Sequence, residues 1–312
     1  MKALVTGGAG FIGHHLVRAL LERGDVVTVL DDLSSGLRSR LDPFRSEITL
    51  VEGSILDQEA LREAVGSSEV IFHGAAIPSV AQSLVTPGAT NAANVTGTIE
   101  VMLAAARHHV RRVVFAGSSA VYGIPVRLPC HEDQRPAPTS PYGVSKLAAE
   151  HYVNTLGRLH GVETVSLRYF NVFGPGQDPA SEYAAVVPRF ITAVLRGDRP
   201  TINGTAKISR DFVYVENVVA ANLLAARSES PSGLTCNVAT GSRQTLIDLV
   251  DAICATVGHT VEPIVGPPRQ GDIIDSQADI RLAQRALGYS VGVSFHEGIA
   301  RTVDWLRGTP NA

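Results

Sequence analysis

Eight residues near the start of the chain, Thr6-Gly7-Gly8-Ala9-Gly10-Phe11-Ile12-Gly13, constrain its fold more than any others. They follow a β-branched run at 3–6 and open a stretch in which Ile12, Leu16, Val17 and Leu20 recur at helical spacing. Glycines at 7, 10 and 13 let backbone amides approach a pyrophosphate at the positive end of a helix, so the turn reads as a dinucleotide cradle. Gly24 closes the helix, a second run spans 26–30, and Asp31 ends it where a carboxylate can take both ribose hydroxyls. Asp31 and Asp32 repel a 2′-phosphate, and no arginine follows immediately to receive one. NAD is therefore favoured over NADP.

Further runs at 48–51, 70–72, 113–116 and 165–169 alternate with helical patterns, among them 91–109 and 140–159. Such alternation implies right-handed crossovers and a parallel sheet. Beyond Gly174 the texture changes, because proline- and glycine-rich stretches at 174–179 and 266–271 break shorter elements. Helices are expected there over 217–227, 246–257 and 278–287, with a last one opened by a capping box from Ser294 to Glu297. The expected division is a dinucleotide-binding domain over 1–173 and a smaller substrate-holding lobe over 174–312, interleaved near 205–240.

The 312 residues are 45% hydrophobic, enough to bury a large core, and the net charge is only −3. With no basic stripe interleaved with aromatics, neither nucleic acid nor a membrane surface is an expected partner. Cys130, Cys236 and Cys254 are odd in number and widely spread, which fits neither a disulfide framework nor a zinc site and points to a reducing cytoplasm. No secretory leader and no run of about 18 apolar residues is read, and no metal is expected. His14-His15 and His108-His109 are neighbours that point apart on helices, so they read as solvated or core histidines; His73, at a strand end, reads as packing.

In Ser140-Pro141-Tyr142-Gly143-Val144-Ser145-Lys146 a phenol and an ammonium stand four residues apart and share a helix face. Ser140 as N-cap and Pro141 at the first helical position start the helix there. A neighbouring cation and the positive helix end both favour a phenolate, so Tyr142 is a candidate base. Lysine occurs only at 2, 146 and 207, which argues against an incidental surface lysine at this place.

Together with Gly117-Ser118-Ser119-Ala120-Val121-Tyr122-Gly123 at a strand end, these motifs resemble the extended short-chain dehydrogenase/reductases, above all their NAD-dependent nucleotide-sugar epimerases. The resemblance continues through Leu167-Arg168-Tyr169-Phe170-Asn171-Val172-Phe173-Gly174-Pro175, Arg210-Asp211-Phe212-Val213-Tyr214-Val215 and Arg269-Gln270-Gly271-Asp272. It implies an α/β fold: a Rossmann-type doubly wound parallel sheet with a smaller C-terminal α/β substrate-binding lobe. It also implies a UDP-hexose 4-epimerase that inverts C4 through a transient 4-keto sugar, and a homodimer built on the helices near 91–109 and 140–159.

Carried over by position, Tyr142 looks like the base, Lys146 like the group that tunes it and holds the nicotinamide ribose, and Ser118 like the hydroxyl bridging sugar and tyrosine. The resemblance places Gly7, Gly10, Phe11, Ile12, Gly13, Asp31, Asp32, Ser35 and Gly36 on the cofactor. Ser54 and Ile55 would flank the adenine, Ala75, Ala76 and Asn94 would line the cofactor, and Tyr169 and Val172 would pack near the nicotinamide. On the substrate side it implies Ser119, Val187, Thr201 and Asn203. Asn171, Arg210 and Arg269 look like diphosphate ligands, and Asp272 like a ribose ligand.

Where sugar dehydratases carry an acidic residue two before Tyr122, this chain has Ala120, so dehydration is not expected. Ser276 stands where plain-hexose epimerases tend to carry a tyrosine, leaving volume for an N-acetyl group. Asn203 replaces an aromatic that stacks on uracil, and Ser54 an aspartate against adenine, so the base identity stays open. Arg189 reads as structural or as a diphosphate ligand, with a C6 carboxylate as a third option. The competing functions are a UDP-glucuronate 4-epimerase or another nucleotide-sugar-modifying enzyme on the same scaffold, and a non-catalytic dinucleotide sensor. Asp178 counts against a uronate, and the intact Ser118, Tyr142 and Lys146 count against a sensor.

Overall fold

The strands of the central sheet are short runs rich in valine, isoleucine and leucine, buried on both faces, as a parallel sheet sandwiched between helices requires. The computed structural model describes residues 1–178, 185–205, 208–229, 232–267 and 275–309. Its first half runs β1 (Lys2–Thr6), α1 (Phe11–Glu22), β2 (Val26–Asp31), β3 (Ile48–Glu52), α2 (Gln58–Val65), β4 (Val70–His73), α3 (Val80–Val85), α4 (Pro87–Asn91), α5 (Gly97–Arg107), β5 (Arg112–Ser118), α6 (Pro141–His160) and β6 (Glu163–Tyr169). There follow β7 (Asn171–Phe173), α7 (Val186–Leu195), β8 (Thr201–Asn203), β9 (Ser209–Arg210), β10 (Phe212–Tyr214), α8 (Val215–Arg227), β11 (Leu234–Val238), β12 (Gln244–Thr245), α9 (Leu246–Val257), β13 (Ile264–Gly266), α10 (Arg281–Leu287) and α11 (Phe295–Arg307).

Seven strands form the main sheet in the order β3-β2-β1-β4-β5-β6-β11, every pair parallel. The strand order reverses at β1, so a crevice opens at the carboxyl ends of β1 and β4, the usual ligand position in such sheets. Side chains alternate between faces: Ala3 and Val5 pack with α1, α8 and α10, whereas Leu4 packs with α2, α5 and α6. A third core, of α7, α9 and α11 around Phe173, Phe212 and Phe295, belongs to the lobe, whose strands pair only in twos as β7 with β10, β8 with β13 and β9 with β12.

The expected first-half strands all form, and α9 has the expected bounds. Four differences have physical causes. Residues 234–238 supply a seventh strand of the main sheet, and α8 packs under it, so chain beyond Gly174 builds both bodies. The helix expected from Ala278 starts at Arg281, because Ala278 is held extended in a parallel bridge with Cys130 while its amide goes to Asp211. Only half of the capping box at Ser294 closes: Ser294 accepts the Glu297 amide, but the Glu297 carboxylate turns to Arg301 at 2.6 Å. The complete box forms at Thr245 and Asp248 instead. Finally, the helical stretch 91–109 is broken by a π turn at Ala92–Thr96, a form that concentrates at functional sites. Among the described residues no helix is long and apolar enough to cross a membrane.

Candidate active site

The glycine turn leaves β1 with Gly7 at φ +73°, a region that favours glycine, and its amide donates to the Leu30 carbonyl. A Cβ on Gly13 would lie 2.1 Å from the Gly7 carbonyl oxygen, and one on Gly7 would lie 2.8 Å from the Ala75 amide nitrogen. The turn is therefore closed tightly against the end of β4. Gly10 precedes α1 and no side chain caps the first helical turn, which leaves the amides of Phe11 and Ile12 at the positive helix end. Asp31 is buried, and its two oxygens accept the amides of Ala9 and Leu33, both at 2.9 Å. Burial raises its pKa while those amides lower it. Gly36 has no room for a side chain, since a Cβ would stand 2.7 Å from Asp31 Oδ1; Asp32 and Ser35 are exposed beside it. The nearby arginines are engaged: Arg38 with Glu52, and Arg40 with the carbonyls of Ala9 and Gly176. These features fit a dinucleotide whose ribose hydroxyls meet a fixed carboxylate, and they give a 2′-phosphate no open cation.

His15 is buried and His14 half-buried against this turn, and both are neutral, with pKa values lowered to about 3 and about 4 by burial. His14 Nδ1 donates to the Gly10 carbonyl and His15 Nε2 to that of Pro175, which ties residues 174–176 to α1. Of the other cofactor positions, Ile55 is buried under Gly97, whose Cβ would fall 2.4 Å from it, and the Ser54 hydroxyl accepts the Leu56 amide. Ala75 and Ala76 are half-buried after β4. Asn94, in the π turn, is 1% exposed and both of its N–H donors are used: it brackets the Ile77 peptide from both sides and donates to Ser145 Oγ at 3.0 Å, which braces the wall of the crevice. The Tyr169 hydroxyl turns to Asn222 on α8, and burial pushes its pKa up; Val172 is half-buried beside it in sequence on β7.

Ser118 ends β5 and accepts the Ala120 amide, and its hydroxyl stands beside the Tyr142 phenol, near enough to lower the phenol's pKa. Tyr142 stands in the first turn of α6, where Ser140 caps the Gly143 amide at 3.1 Å. Gly143 is required there, since a Cβ would lie 2.7 Å from the Ala120 carbonyl; without one, the helix start closes on the turn that follows Ser118. Burial raises the Tyr142 pKa and the neighbouring Ser118 hydroxyl lowers it, while the Lys146 ammonium donates to the Ala116 carbonyl at 3.0 Å and sits 5.1 Å from the Phe115 ring. Four-residue spacing puts both groups on one face, but the long lysine stem reaches the sheet beneath the tyrosine. Burial lowers the Lys146 pKa to about 8.

Two buried networks that sequence reasoning missed hold this catalytic edge. Arg168 on β6 makes a bidentate pair with Glu150, one turn beyond Lys146 on α6, at 2.6 and 2.9 Å, and also donates to the Tyr122 hydroxyl. His73 accepts from Thr6 Oγ1 at Nδ1 and donates from Nε2 to Thr98 Oγ1, whose own proton goes to the Asn94 carbonyl. Ser145 was legible, three residues from Tyr142 on the same helix. The partners across the fold carry no local signal.

On the lobe side, Asn171 donates its amide and its side chain to the Asp211 carbonyl, and the Arg210 guanidinium donates to the Ser209 carbonyl, whose oxygen also accepts the Ser276 amide. Asn171, Arg210 and Ser276 are thus gathered at one junction. At its centre the Asp211 carboxylate, fully buried, accepts Thr240 N and Oγ1 on one oxygen and Gly241 N and Ala278 N on the other, at 2.6 to 3.1 Å. Burial raises its pKa to about 6. Ser119 is half-buried after Ser118, Arg189 and Thr201 are exposed, and Asn203 is half-buried on β8. The Val187 side chain, 2% exposed, is committed to the lobe core, so only its peptide group in the first turn of α7 is left for a ligand. Arg269 and Asp272 lie outside the described residues.

Residues 3–239 match the NAD dependent epimerase/dehydratase family. A UDP-glucose 4-epimerase of Mycolicibacterium smegmatis is 39% identical over 311 residues, covering 98% of this chain and 99% of its own. The crystal structure of UDP-glucose 4-epimerase from Thermotoga maritima with UDP-glucose gives a TM-score of 0.93 at 37% identity, over 99% of both chains. A UDP-N-acetylglucosamine 4-epimerase from Methanobrevibacter ruminantium, in complex with UDP-N-acetylmuramic acid, gives 0.94 at 36% identity over 98% of both.

Proposed function

The chain belongs to the NAD dependent epimerase/dehydratase family, and we propose that it is a UDP-hexose 4-epimerase, an isomerase that interconverts UDP-glucose and UDP-galactose. The observation that carries this is the placement of the Tyr142 phenol beside the Ser118 hydroxyl, near enough for the hydroxyl to lower its pKa, at the rim of a crevice whose other wall is the glycine turn. Bound NAD supplies a reversible hydride acceptor for C4. The protein's part is to move one proton and hold one sugar. Tyr142 takes the proton of the 4-hydroxyl and gives it back to the same oxygen after the 4-keto sugar has turned over to present the opposite face of C4 for hydride return, and Ser118 bridges phenol and sugar oxygen. Lys146 brings positive charge beneath both and, in our assignment, holds the nicotinamide ribose. No net oxidation results, so the cofactor has no need to leave between turnovers.

In this assignment Gly7, Gly10, Phe11, Ile12, Gly13, Asp31, Asp32, Ser35 and Gly36 seat the pyrophosphate and adenosine ribose. Ser54, Ile55, Ala75, Ala76, Tyr169 and Val172 shape the remaining walls. Asn171 and Arg210 serve the diphosphate of the sugar nucleotide. Ser276, small and buried beside them, leaves space for an N-acetyl group, so UDP-GlcNAc and UDP-GalNAc are proposed as additional substrates. Residues 1–173 and 174–312 are proposed as the cofactor and sugar-nucleotide domains, with 215–238 and 281–287 returning to the first. A homodimer through α3 and α6 is supported by the exposed apolar side chains Val80, Leu84, Val85, Val144 and Tyr152, and buried free thiols agree with a cytoplasmic setting.

The test is incubation of the purified protein, without added NAD, with UDP-galactose, UDP-GalNAc and UDP-galacturonate. Turnover of the first, with or without the second, is expected. Turnover of the uronate alone would replace the hexose assignment, and turnover of none would favour a non-catalytic dinucleotide protein. Replacing Tyr142 with Phe should remove turnover roughly 10³-fold while bound nucleotide is retained.

A further inference from the structure

We infer that Ser83, on α3, is a positioning residue for Tyr142, and that it fixes the base by its peptide group instead of its side chain; this rests on Tyr142 being the base. Ser83 is 0% exposed although α3 lies at the surface with Val80, Leu84 and Val85 exposed. Its hydroxyl proton is donated to the Val80 carbonyl at 2.6 Å, so toward everything else Ser83 Oγ can only accept. What it accepts is the backbone N–H of Tyr142, at 3.1 Å and 59 residues away in sequence.

That amide would otherwise be an orphan of the helix start. Pro141 has no N–H, Gly143 donates to the Ser140 hydroxyl and Val144 to the Ser140 carbonyl. Ser83 is thus the group from outside the helix that closes the first turn, and it does so at the catalytic position. The carbonyl of Tyr142 is held as well, by the Ser145 hydroxyl at 2.8 Å, and Ser145 in turn accepts from Asn94, which grips the Ile77 peptide. Both polar ends of the tyrosine's backbone are therefore fastened to the segment that runs from β4 through α3 to the π turn. A tyrosine side chain has two rotatable bonds, so once its backbone is anchored the reach of the phenol toward Ser118 is nearly set. Loosening the amide side lets α6 begin elsewhere and moves the phenol relative to Ser118. The titratable neighbours are Lys146 on the same helix and the neutral His73 on β4, whose ring feels the Lys146 charge.

The experiment compares Ser83→Ala and Ser83→Cys with the parent, in the full chain, measuring kcat and KM against pH, bound nucleotide after gel filtration, and unfolding by urea. For Ser83→Ala we expect kcat to fall about tenfold, with KM and nucleotide content unchanged; misplacements of this kind act on the reacting geometry alone. Ser83→Cys, whose sulfur is a weaker acceptor, should fall between the two. The acid limb of kcat should also move to higher pH, because the neighbouring Ser118 hydroxyl is what lowers the phenol's pKa and a displaced phenol moves away from it. A purely structural serine would lower the folded fraction and leave that limb in place. Unchanged kcat in both variants, or a loss that follows urea stability with an unmoved limb, overturns the inference; if the alanine variant does not fold, the cysteine variant decides by the same criteria. Tyr142→Phe is run alongside, and wild-type turnover there would overturn the base assignment itself, whatever Ser83 does.

Discussion

On the α6 side of the crevice, position is held by many neutral groups spread over several elements: Ser83, Ser145, Asn94, Thr98 and His73, with one buried ion pair behind them. On the lobe side the Asp211 carboxylate collects four donors from two segments, at 240–241 and at 278, which Gln277 also joins by donating to the Gly241 carbonyl. The two designs suit different tasks. A base must be placed to a fraction of an ångström and is best held by redundant short bonds. A nucleotide-diphosphate seat needs loops brought together, and a single anion that accepts several amides can do this at the cost of burying a charge.

The ion pair is where breaking this comparison should cost most. Arg168 and Glu150 are 6% and 4% exposed at the side chain, so removing one charge strands the other. Glu150→Gln should lower unfolding stability by about 3 kcal/mol in urea titrations. Adding Arg168→Met should recover part of the loss, because no unpaired charge then remains. A Glu150→Gln variant as stable as the parent would show that the α6 side does not depend on this pair.

Acid should separate the two sides next, since their buried titratable groups respond with opposite sign. His73 is 2% exposed, neutral, and lowered to about 3 by burial and the Lys146 charge. An unfolded chain takes up a proton near pH 6.5 that the native ring refuses, so stability falls as pH drops through 6.5 and continues to fall toward 3. Between neutrality and pH 5 the loss from this one ring is about 2 kcal/mol. His14 and His15 act in the same direction on the glycine turn. Asp211 acts the other way: with its pKa raised to about 6, its native form binds a proton more readily than the unfolded chain does, so acidification through pH 6 relieves its burial. His73→Gln should flatten the acid limb of stability by about 2 kcal/mol at pH 5, and an unchanged slope would show that the ring is not buried neutral.

How much of this was legible in the sequence follows the same division. The glycine turn, Asp31, the strand positions of the first half and the Ser140-Pro141-Tyr142 helix start are local: the residues that cause each feature are neighbours, so spacing and residue type state the structure. Ser83, His73 and Arg168 were illegible as partners, because their work is done with residues 18 to 67 positions away, which only the sheet topology brings together. Even local signals fail where a stronger bond competes. Glu297 reads as the second half of a capping box and goes to Arg301, and Ala278 reads as a helix start but is held extended in its bridge with Cys130. Lys146 shows the converse: its spacing to Tyr142 was legible, but its hydrogen bond to Ala116 was not, since a flexible stem does not report where its charge will rest.

The smallest expected effect is also the sharpest test of the lobe side. Asp211→Asn keeps the shape but replaces one acceptor oxygen with a two-proton donor, in a nest where Thr240, Gly241 and Ala278 all present N–H groups. The Thr240 hydroxyl can rotate to accept; the three amides cannot. At least one must lose its partner, so the 240–241 and 275–278 segments should part from β9 and β10, carrying Asn171, Arg210 and Ser276 out of alignment. The KM for the sugar nucleotide should rise about tenfold, or about 1.4 kcal/mol, within the range for a buried donor left unpaired. Bound NAD and the pH limb of kcat, both governed from the α6 side, should stay as they are. If KM held steady while nucleotide retention fell, Asp211 would belong to the cofactor's support and the two sides would not be separable as described.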